Sequence, residues 1–188
     1  MGDLPKGISV GHTDTEVHVR VVGRGTFQNG QPLRRYALEM MEHGVVQFIV
    51  DLGGCDGMDS TFLGVLAGIG LRLTQSNRAG QLHVANVGQR NLELLQTLGL
   101  DRLFGMDQPA GRNLHYDAPA GLAFQRLPDS DVTQLSKPLN KSDTADLMLE
   151  AHDNLIRADQ RNLAKFKDIT SFLREKVDKR AGDGHKER

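Results

Sequence analysis

The sequence predicts an α/β domain, with a mixed β-sheet and packed α-helices, followed by a C-terminal α-helical extension. Over roughly the first hundred residues, β-branched runs alternate with segments of helical spacing, and glycines separate them. After residue 142 neither Pro nor Gly occurs until Gly182, which favours helix. We therefore expect a domain over residues 1–106, a linker over 107–141 and a helical extension over 142–188.

The composition is that of an ordinary globular protein. Of 188 residues, 38% are hydrophobic and 25% charged, and the formal net charge of -1 favours neither nucleic acid nor an acidic membrane as a partner. A single cysteine, Cys55, cannot form an intramolecular disulfide, and the seven histidines show no ligand spacing, so we expect no metal, no cofactor and a reducing, cytoplasmic setting. Residues 1–10 lack the apolar core of a signal peptide, and no apolar run approaches the roughly 18 residues that cross a bilayer. We expect neither export nor membrane insertion.

The first predicted elements are a pair of strands, a helix and a third strand. Residues 16–22 alternate valines with polar side chains, which is typical of a half-buried strand, and residues 8–12 are a candidate strand beside it. Apolar residues recur at helical spacing over 33–41, and Gly44 offers a stop. Residues 45–52, VVQFIVDL, form a β-branched run that predicts a central strand covered on both faces.

The next predicted helix, residues 60–77, contains three glycines. Its apolar residues fall on one face. Gly64, Gly68 and Gly70 each weaken a helix by about 1 kcal/mol relative to alanine. We expect them to be tolerated because this helix approaches the neighbouring sheet closely.

The domain ends with a third strand and helix. Residues 81–87 predict a buried strand, residues 89–98 a short helix closed by Gly99, and residues 100–104 the entry to a last edge element. The alternation of strand and helix predicts right-handed crossovers with helices packed on the sheet.

Regular structure is not expected to run far between residues 107 and 141. The segment carries four prolines among Gly, Asp and Ser: Pro109, Pro119, Pro128 and Pro138. Within it, residues 122–127, LAFQRL, are too apolar to remain in water, so we expect a short strand or a segment pressed against the domain.

The extension has the charge pattern of a helix, with acidic residues near its start and basic residues near its end. Its apolar positions follow steps of four, four and three, with the polar Asn162 at one step. The resulting period of about 3.67 predicts a helix or helical pair and not a left-handed coiled coil. The apolar positions are Leu147, Ala151, Leu155, Ala158, Phe166, Ile169, Leu173 and Val177. Because such a stripe is unlikely to stay solvated, we expect residues 142–180 to pack on the domain or to form a homodimer.

The most informative stretch is residues 51–66, DLGGCDGMDSTFLGVL, where a strand stops, a Gly-rich turn follows and residues 59–61 open a helix. It resembles the signature of STAS domains of anti-sigma-factor antagonists, D-L-S-x-v-x-x-M-D-S-[ST]-G-L-G-x-L between a strand and a helix. The resemblance continues through LHVANV, residues 82–87, to LLQTLGLDRLF, residues 94–104. It covers roughly residues 8–106.

The resemblance implies a phosphorylation switch at Ser60. In the family the partner is a serine kinase and anti-sigma factor, and a phosphatase resets the switch. A phosphate would add about -1.5 to -2 charges at pH 7 beside Asp59 and near Asp56. A partner that had buried this patch would face repulsion and the desolvation of a dianion, so binding would switch off.

Residues around Ser60 are expected to form the partner-binding surface: Asp56, Met58, Asp59, Thr61 and Phe62. The motif over residues 51–66 departs from the family pattern at two positions. Gly53 stands where a Ser is often found, and Phe62 stands where Gly is usual. We expect Phe62 to be largely exposed and to contact the partner, as aromatic anchors do.

Other functions remain open. Ser60 could serve only as a helix N-cap, a role that Ser, Thr and Asp commonly fill. The domain could instead sense a nucleotide or small ligand within a larger assembly, without phosphorylation. An enzyme is not expected, because no G-x-S-x-G elbow surrounds Ser60 and Gly53, Gly54 and Gly57 match no phosphate-binding loop.

Overall fold

A computed structural model describes residues 6–76, 80–106, 116–128 and 141–183, without the side chains of residues 141–143 and 180–183. The strands are β1 (Gly7–His12), β2 (Glu16–Gly25), β3 (Gln47–Met58), β4 (Gln81–Ala85), β5 (Gly105–Met106) and β6 (Gln125–Arg126). The helices are α1 (Phe27–Glu42), α2 (Ser60–Gln75), α3 (Gln89–Thr97), α4 (Lys141–Ala158) and α5 (Leu163–Asp183). The predicted α/β class with C-terminal helices is confirmed.

The strands form one mixed sheet in the order β5-β4-β3-β2-β1-β6. The β1–β2 pair is antiparallel, whereas β2, β3, β4 and β5 run parallel and are joined by α1, α2 and α3. Parallel strands need such crossovers, as the alternating sequence pattern predicted. The carboxyl ends of β2 and β3 therefore meet at the edge of the sheet where α1 and α2 begin.

The core lies between the sheet and the helices. Val17, Val19 and Val21 alternate along β2 and are buried, as the period-2 pattern predicted. His18 lies between them in sequence and so points to the opposite face, yet it is only 2% exposed. The prediction that β2 is half-buried is thus wrong around His18, because a distant segment covers the second face there.

That segment is residues 116–128, which we call the strap. Its strand β6 pairs antiparallel with β1, and the Leu127 amide donates to the Ile8 carbonyl at 2.8 Å. Leu127 is buried in the main core. Of the two alternatives expected for residues 122–127, a short strand or a segment pressed against the domain, the structure shows a strand over Gln125–Arg126 only. Residues 107–115 and 129–140, most of the predicted linker, lie outside the described residues, and the domain boundaries stay a prediction.

At its other end the strap is fixed by Tyr116 and Asn86. The Tyr116 amide donates to Asn86 Oδ1 at 2.9 Å, and Asn86 Nδ2 donates to the Tyr116 carbonyl at 3.0 Å and to Asp51 Oδ1 at 2.8 Å. The Tyr116 hydroxyl is hydrogen-bonded to His18 Nδ1. Burial lowers the pKa of His18, and burial raises the pKa of Tyr116 to about 12.

The extension folds back on the domain as a helical pair. Helix α4 packs on α2, and Leu147, Ala151 and Leu155 are at most 6% exposed. The apolar stripe was expected to pack on the domain or to form a homodimer, and the structure shows α4 packed on the domain of the same chain. In α5 the stripe is covered only in part: Leu173 is 6% exposed and Phe166 packs against the core, whereas Ile169 is 40% exposed. A homodimer through this segment stays a prediction.

Residues 159–162 break the extension into two helices. The Asp159 side chain accepts from the Arg161 amide at 2.9 Å and caps a short 3-10 turn. The buried Asn162 donates from Nδ2 to the carbonyls of Leu155 at 2.8 Å and Leu98 at 2.9 Å. The first bond gives the Leu155 carbonyl of α4 a side-chain donor, and the second ties the turn to Leu98 at the end of α3.

The glycines of α2 allow a close approach, but mainly to another element than predicted. A Cβ at Gly64 would lie 2.2 Å from the Ala151 carbonyl oxygen, and one at Gly68 would lie 2.4 Å from Asn154 Nδ2. Both contacts are with α4, not with the sheet. The expectation is therefore corrected: these glycines admit the extension, which is the reason for their low helix propensity being tolerated here.

Candidate functional site

The candidate site lies where α1 and α2 begin, and Asp59 holds both helices. Its Oδ1 accepts from the Phe62 amide at 2.8 Å, and its Oδ2 accepts from the Phe27 amide at 2.9 Å. The Asp59 amide in turn donates to the Gly25 carbonyl at 2.9 Å. One carboxylate thus caps two helix N-termini, which the macrodipole favours. The N-cap of α2 is therefore Asp59 and not Ser60.

Ser60 is the first residue of α2 and is half-buried. Its Oγ lies 3.0 Å from Nε2 of His152, a residue of α4. Nδ1 of the same ring lies 2.7 Å from the Met148 carbonyl oxygen. Because a carbonyl can only accept, Nδ1 carries the proton in the neutral ring, and the Ser60 hydroxyl donates to Nε2. This hydrogen bond links the predicted phosphoacceptor to the extension.

His152 is held rigidly in that position. The ring is 3% exposed and packs against Phe166 of α5, with ring centroids 5.1 Å apart and planes tilted by 59°. Sequence reasoning missed His152, which was expected to be an ordinary surface or core residue. No signal could have found it, since 92 positions separate it from Ser60.

The expectation that Phe62 is exposed is wrong, because its side chain is 0% exposed. A Cβ on Gly25 would lie 2.5 Å from the Phe62 ring, and one on Gly30 would lie 3.6 Å from it. The ring therefore fills the space that two glycines leave at the end of β2 and in α1. The large Phe62 side chain thus occupies volume that side chains at positions 25 and 30 would otherwise fill, and Phe62 joins the core between α1 and α2.

The other predicted surface residues divide into two groups. Met58 and Thr61 are 7% and 5% exposed, so neither can supply a contact surface. Asp56 is exposed near the end of β3, and Asp59 is half-buried. Only Asp56, Asp59 and Ser60 of the predicted set are thus within reach of a partner. The nearby Cys55 is half-buried, and burial raises the pKa of its thiol, which disfavours a reactive thiolate.

A charged contact fixes α4 against α1 and the C-terminal end of α2. Glu150 of α4 accepts two hydrogen bonds from Arg34 of α1, from Nε at 3.2 Å and Nη2 at 3.0 Å, and its second oxygen lies 2.8 Å from Arg34 Nη2. Arg72 of α2 adds a third donor at 3.3 Å. The carboxylate thus joins three helices, and the geometry with Arg34 is bidentate.

Two findings limit what the site can be. Among the side chains that the structure describes, no group of three or more His, Cys, Asp or Glu is placed to hold a metal ion. Within the same parts of the chain, no helix combines the length and apolarity that spanning a membrane requires.

The solved structures to which this chain is similar include the following three. The unphosphorylated form of the anti-sigma factor antagonist SpoIIAA is 17% identical over 54% of this chain and 87% of its own, with a TM-score of 0.45. The phosphorylated form of the Bacillus cell fate determinant SpoIIAA is 19% identical over 55% and 93%, also at 0.45. An uncharacterized protein with a SpoIIAA-like fold from Shewanella loihica PV-4 is 17% identical over 57% and 91%, at 0.39.

Among curated proteins, no sequence matches this chain. The family model described as "Mlab, STAS domain" matches residues 8–106, more than half of the 188 residues and the same range over which the motif resemblance ran. The chain therefore belongs to the STAS domain family.

Proposed function

We propose that this protein is a non-enzymatic regulator of the anti-sigma-factor-antagonist type, which exchanges protein partners through phosphorylation of Ser60. One observation carries the proposal. Ser60 opens α2 at a half-buried position, while the work of capping that helix falls to Asp59. The hydroxyl is therefore not committed to holding the helix start, which supports a role for it as a phosphoacceptor.

The surroundings of Ser60 would make a phosphate an effective switch. The added dianion would lie in the first turn of α2, where the helix dipole favours an anion, but next to the Asp59 carboxylate and near the exposed Asp56. A partner covering this turn would have to desolvate three negative groups together. Such an uncompensated burial costs several kcal/mol, enough to release a partner of ordinary affinity.

The expected partners follow from the family and the motif. They are a serine kinase of the anti-sigma-factor type, which binds the unmodified surface, and a phosphatase that restores it. The alternative, a STAS module that senses a nucleotide or small ligand within a larger assembly, needs no modification of Ser60. The two functions therefore differ in one measurable property of the same residue.

The Ser60–His152 pair does not turn the site into an enzyme. A serine activated by histidine is a nucleophile in many hydrolases, where a third group orients the base and the pair faces a cleft. Here the histidine is 3% exposed and lies beneath Phe166, between α4 and α5. The pair thus joins two packed helices, and the arrangement supports a structural contact rather than catalysis.

Intact-mass measurement on protein isolated from its own cells tests the proposal. We expect a species heavier by about 80 Da, one phosphate, that disappears in Ser60→Ala and persists in Ser171→Ala, a matched change at an exposed serine of α5. Partner capture with Ser60→Ala, Ser60→Asp and the unchanged protein should differ, with the aspartate variant weakest. An unmodified Ser60 with equal partner recovery by all three would favour the ligand-sensing alternative.

A further inference from the structure

Helix α2 presents a groove that receives another helix. Ser60, Gly64, Gly68 and Arg72 are spaced by four and share one face of α2. The two glycines leave the backbone bare, so that a facing helix can approach until its own backbone touches the Cβ positions that a larger residue would fill. The face thus has a polar end at Ser60, a deep centre and a basic end at Arg72.

Helix α4 fits each part of this groove. Ala151, a small residue, lies over Gly64, and Asn154 Nδ2 lies 3.4 Å from the Gly64 carbonyl oxygen. At the basic end Glu150 binds both Arg72 and Arg34, and at the polar end His152 accepts from Ser60. The docked helix thus covers the Ser60 hydroxyl from this side through the hydrogen bond to His152.

We propose that this groove is the binding surface for a helix of the partner, and that α4 occupies it as an internal competitor. The inference rests on the proposed function, since it concerns what must reach Ser60. The partner helix is amphipathic and carries an acidic residue directly before a small one, to match Arg34, Arg72 and Gly64. A kinase or partner then gains access to Ser60 only when α4 leaves.

The tethering of α4 sets the strength of the competition. A segment joined to its own binding site has an effective concentration on the order of millimolar, so a free helix at micromolar concentration cannot displace it. Weakening α4 without touching the groove should open the site to a helix added in trans. Glu150 is the residue to change, because its side chain is 34% exposed and its replacement need not disturb the core.

The first measurement uses a fluorescent peptide of residues 141–158 and full-length protein. In Glu150→Arg, three cationic side chains would meet where one carboxylate now pairs with two arginines. We expect this variant to bind the peptide at least about tenfold more tightly than the unchanged protein does, by fluorescence anisotropy. Glu175→Arg is the matched control, since Glu175 pairs with Lys179 on the exposed face of α5; it should behave as the unchanged protein.

The second measurement follows access to Ser60 directly. A thiol introduced by Ser60→Cys, in a chain that also carries Cys55→Ala, should react with an aromatic disulfide reagent about tenfold faster when Glu150→Arg is added, and not when Glu175→Arg is added. Ala151→Leu offers a steric route to the same release, with Ala164→Leu, at an exposed position of α5, as its control.

Several results would overturn the inference. If amide exchange shows α4 still protected in both Glu150→Arg and Ala151→Leu, the helix is a fixed part of the domain and not a competitor. If α4 is released but the peptide does not bind, the groove is not a helix site. If the unchanged protein binds the peptide as tightly as Glu150→Arg, α4 does not occupy the peptide's site.

A charge exchange then tests the recognised chemistry. Protein carrying Arg34→Glu and Arg72→Glu, with Glu150 unchanged in its own α4, should repel that helix, bind the unchanged peptide poorly and bind a peptide that carries Glu150→Arg. These binding measurements need no phosphorylation, so they fail or succeed independently of the intact-mass test at Ser60. An unmodified Ser60 with a competing α4 would overturn the proposed function alone, whereas a phosphorylated Ser60 with a fixed α4 would overturn this inference alone.

Discussion

Two segments outside the family-matched region cover the two faces of this STAS domain, and they do so in different ways. On the helical face, α4 buries Leu147, Ala151 and Leu155. The strap has one buried residue, Leu127, which joins the main core, and on the open face of the sheet polar contacts at Tyr116 fix its other end. Each segment forms a hydrogen bond between a histidine and a hydroxyl. Helix α4 supplies His152 to the Ser60 hydroxyl, and the strap supplies the Tyr116 hydroxyl to His18.

The two segments differ in the contacts that hold them, since α4 is held mainly by apolar burial and the Tyr116 end of the strap by hydrogen bonds. Burial of apolar side chains contributes about 1.5 to 3 kcal/mol for each large residue, and α4 has two of them against α2 and its surroundings. A hydrogen bond contributes only about 0.5 to 1.5 kcal/mol net, because both groups bond to water in the unfolded chain. We therefore expect changes on the α4 face to be costly and changes under the strap to be mild and dependent on conditions.

The largest effect is expected from Leu155→Ala, since Leu155 is 0% exposed. Removing its side chain leaves a cavity, which costs about 2 to 5 kcal/mol of unfolding free energy. Phe172→Ala in α5 removes a larger side chain, but Phe172 is 53% exposed, so its effect should stay within about 0.5 kcal/mol. Urea unfolding of both variants checks this. Equal losses would show that α4 and α5 are covered alike, against the structure.

A smaller loss is expected from Gly64→Ala. Alanine improves the intrinsic helix propensity of α2 by about 1 kcal/mol, so in an unpacked helix this change would stabilise the protein. Here the added methyl group would lie 2.2 Å from the Ala151 carbonyl oxygen, and overpacking costs about 1 to 3 kcal/mol. We expect net destabilisation together with faster amide exchange in α4. Gly57→Ala, where nothing lies within 4 Å of the new Cβ, is the control and should leave α4 protected.

The parts of the fold that depend on neighbours in sequence were predictable. The strand-helix alternation, the start of α2 at Ser60 and the short apolar strand near residue 125 all follow from local patterns. The Ser60 motif located the candidate site for the same reason. The division of the extension into two helices was left open because Asn162 could be recognised as a gap in the stripe, but not as a ligand of the Leu98 and Leu155 carbonyls.

What failed depended on residues far apart in the chain. Phe62 was expected at the surface because a glycine is usual at its position in relatives, yet Gly25 and Gly30 supply the missing space from other elements. Likewise the glycines of α2 announced a close approach but could not say that the neighbour was α4. The contact between Ser60 and His152 arises from the same docking, so the sequence predicted a phosphoacceptor without the helix that covers it.

The smallest effect is expected on the strap face, as a dependence of stability on pH. Burial lowers the pKa of His18, while the neighbouring Glu16, 3.4 Å away, opposes that shift. As the pH drops below about 6.5, His18 therefore binds a proton in the unfolded chain while it is still neutral in the folded chain. The free energy of unfolding should fall over this range and level off once His18 is protonated in the folded state as well. Above that pH the contribution is fully present.

Urea unfolding between pH 5 and 8 measures this dependence. His18→Gln should flatten it, since the replacement cannot titrate, whereas His43→Gln, at an exposed histidine of the α1 C-terminus, should leave the slope of the unchanged protein. Tyr116→Phe removes the hydroxyl that bonds to His18 but keeps the stacked ring, 6.1 Å from the imidazole, so it should lower stability across the range with little change in slope. A slope that survives in His18→Gln would place the titrating group elsewhere and would show that the strap covers His18 without any linkage to its protonation.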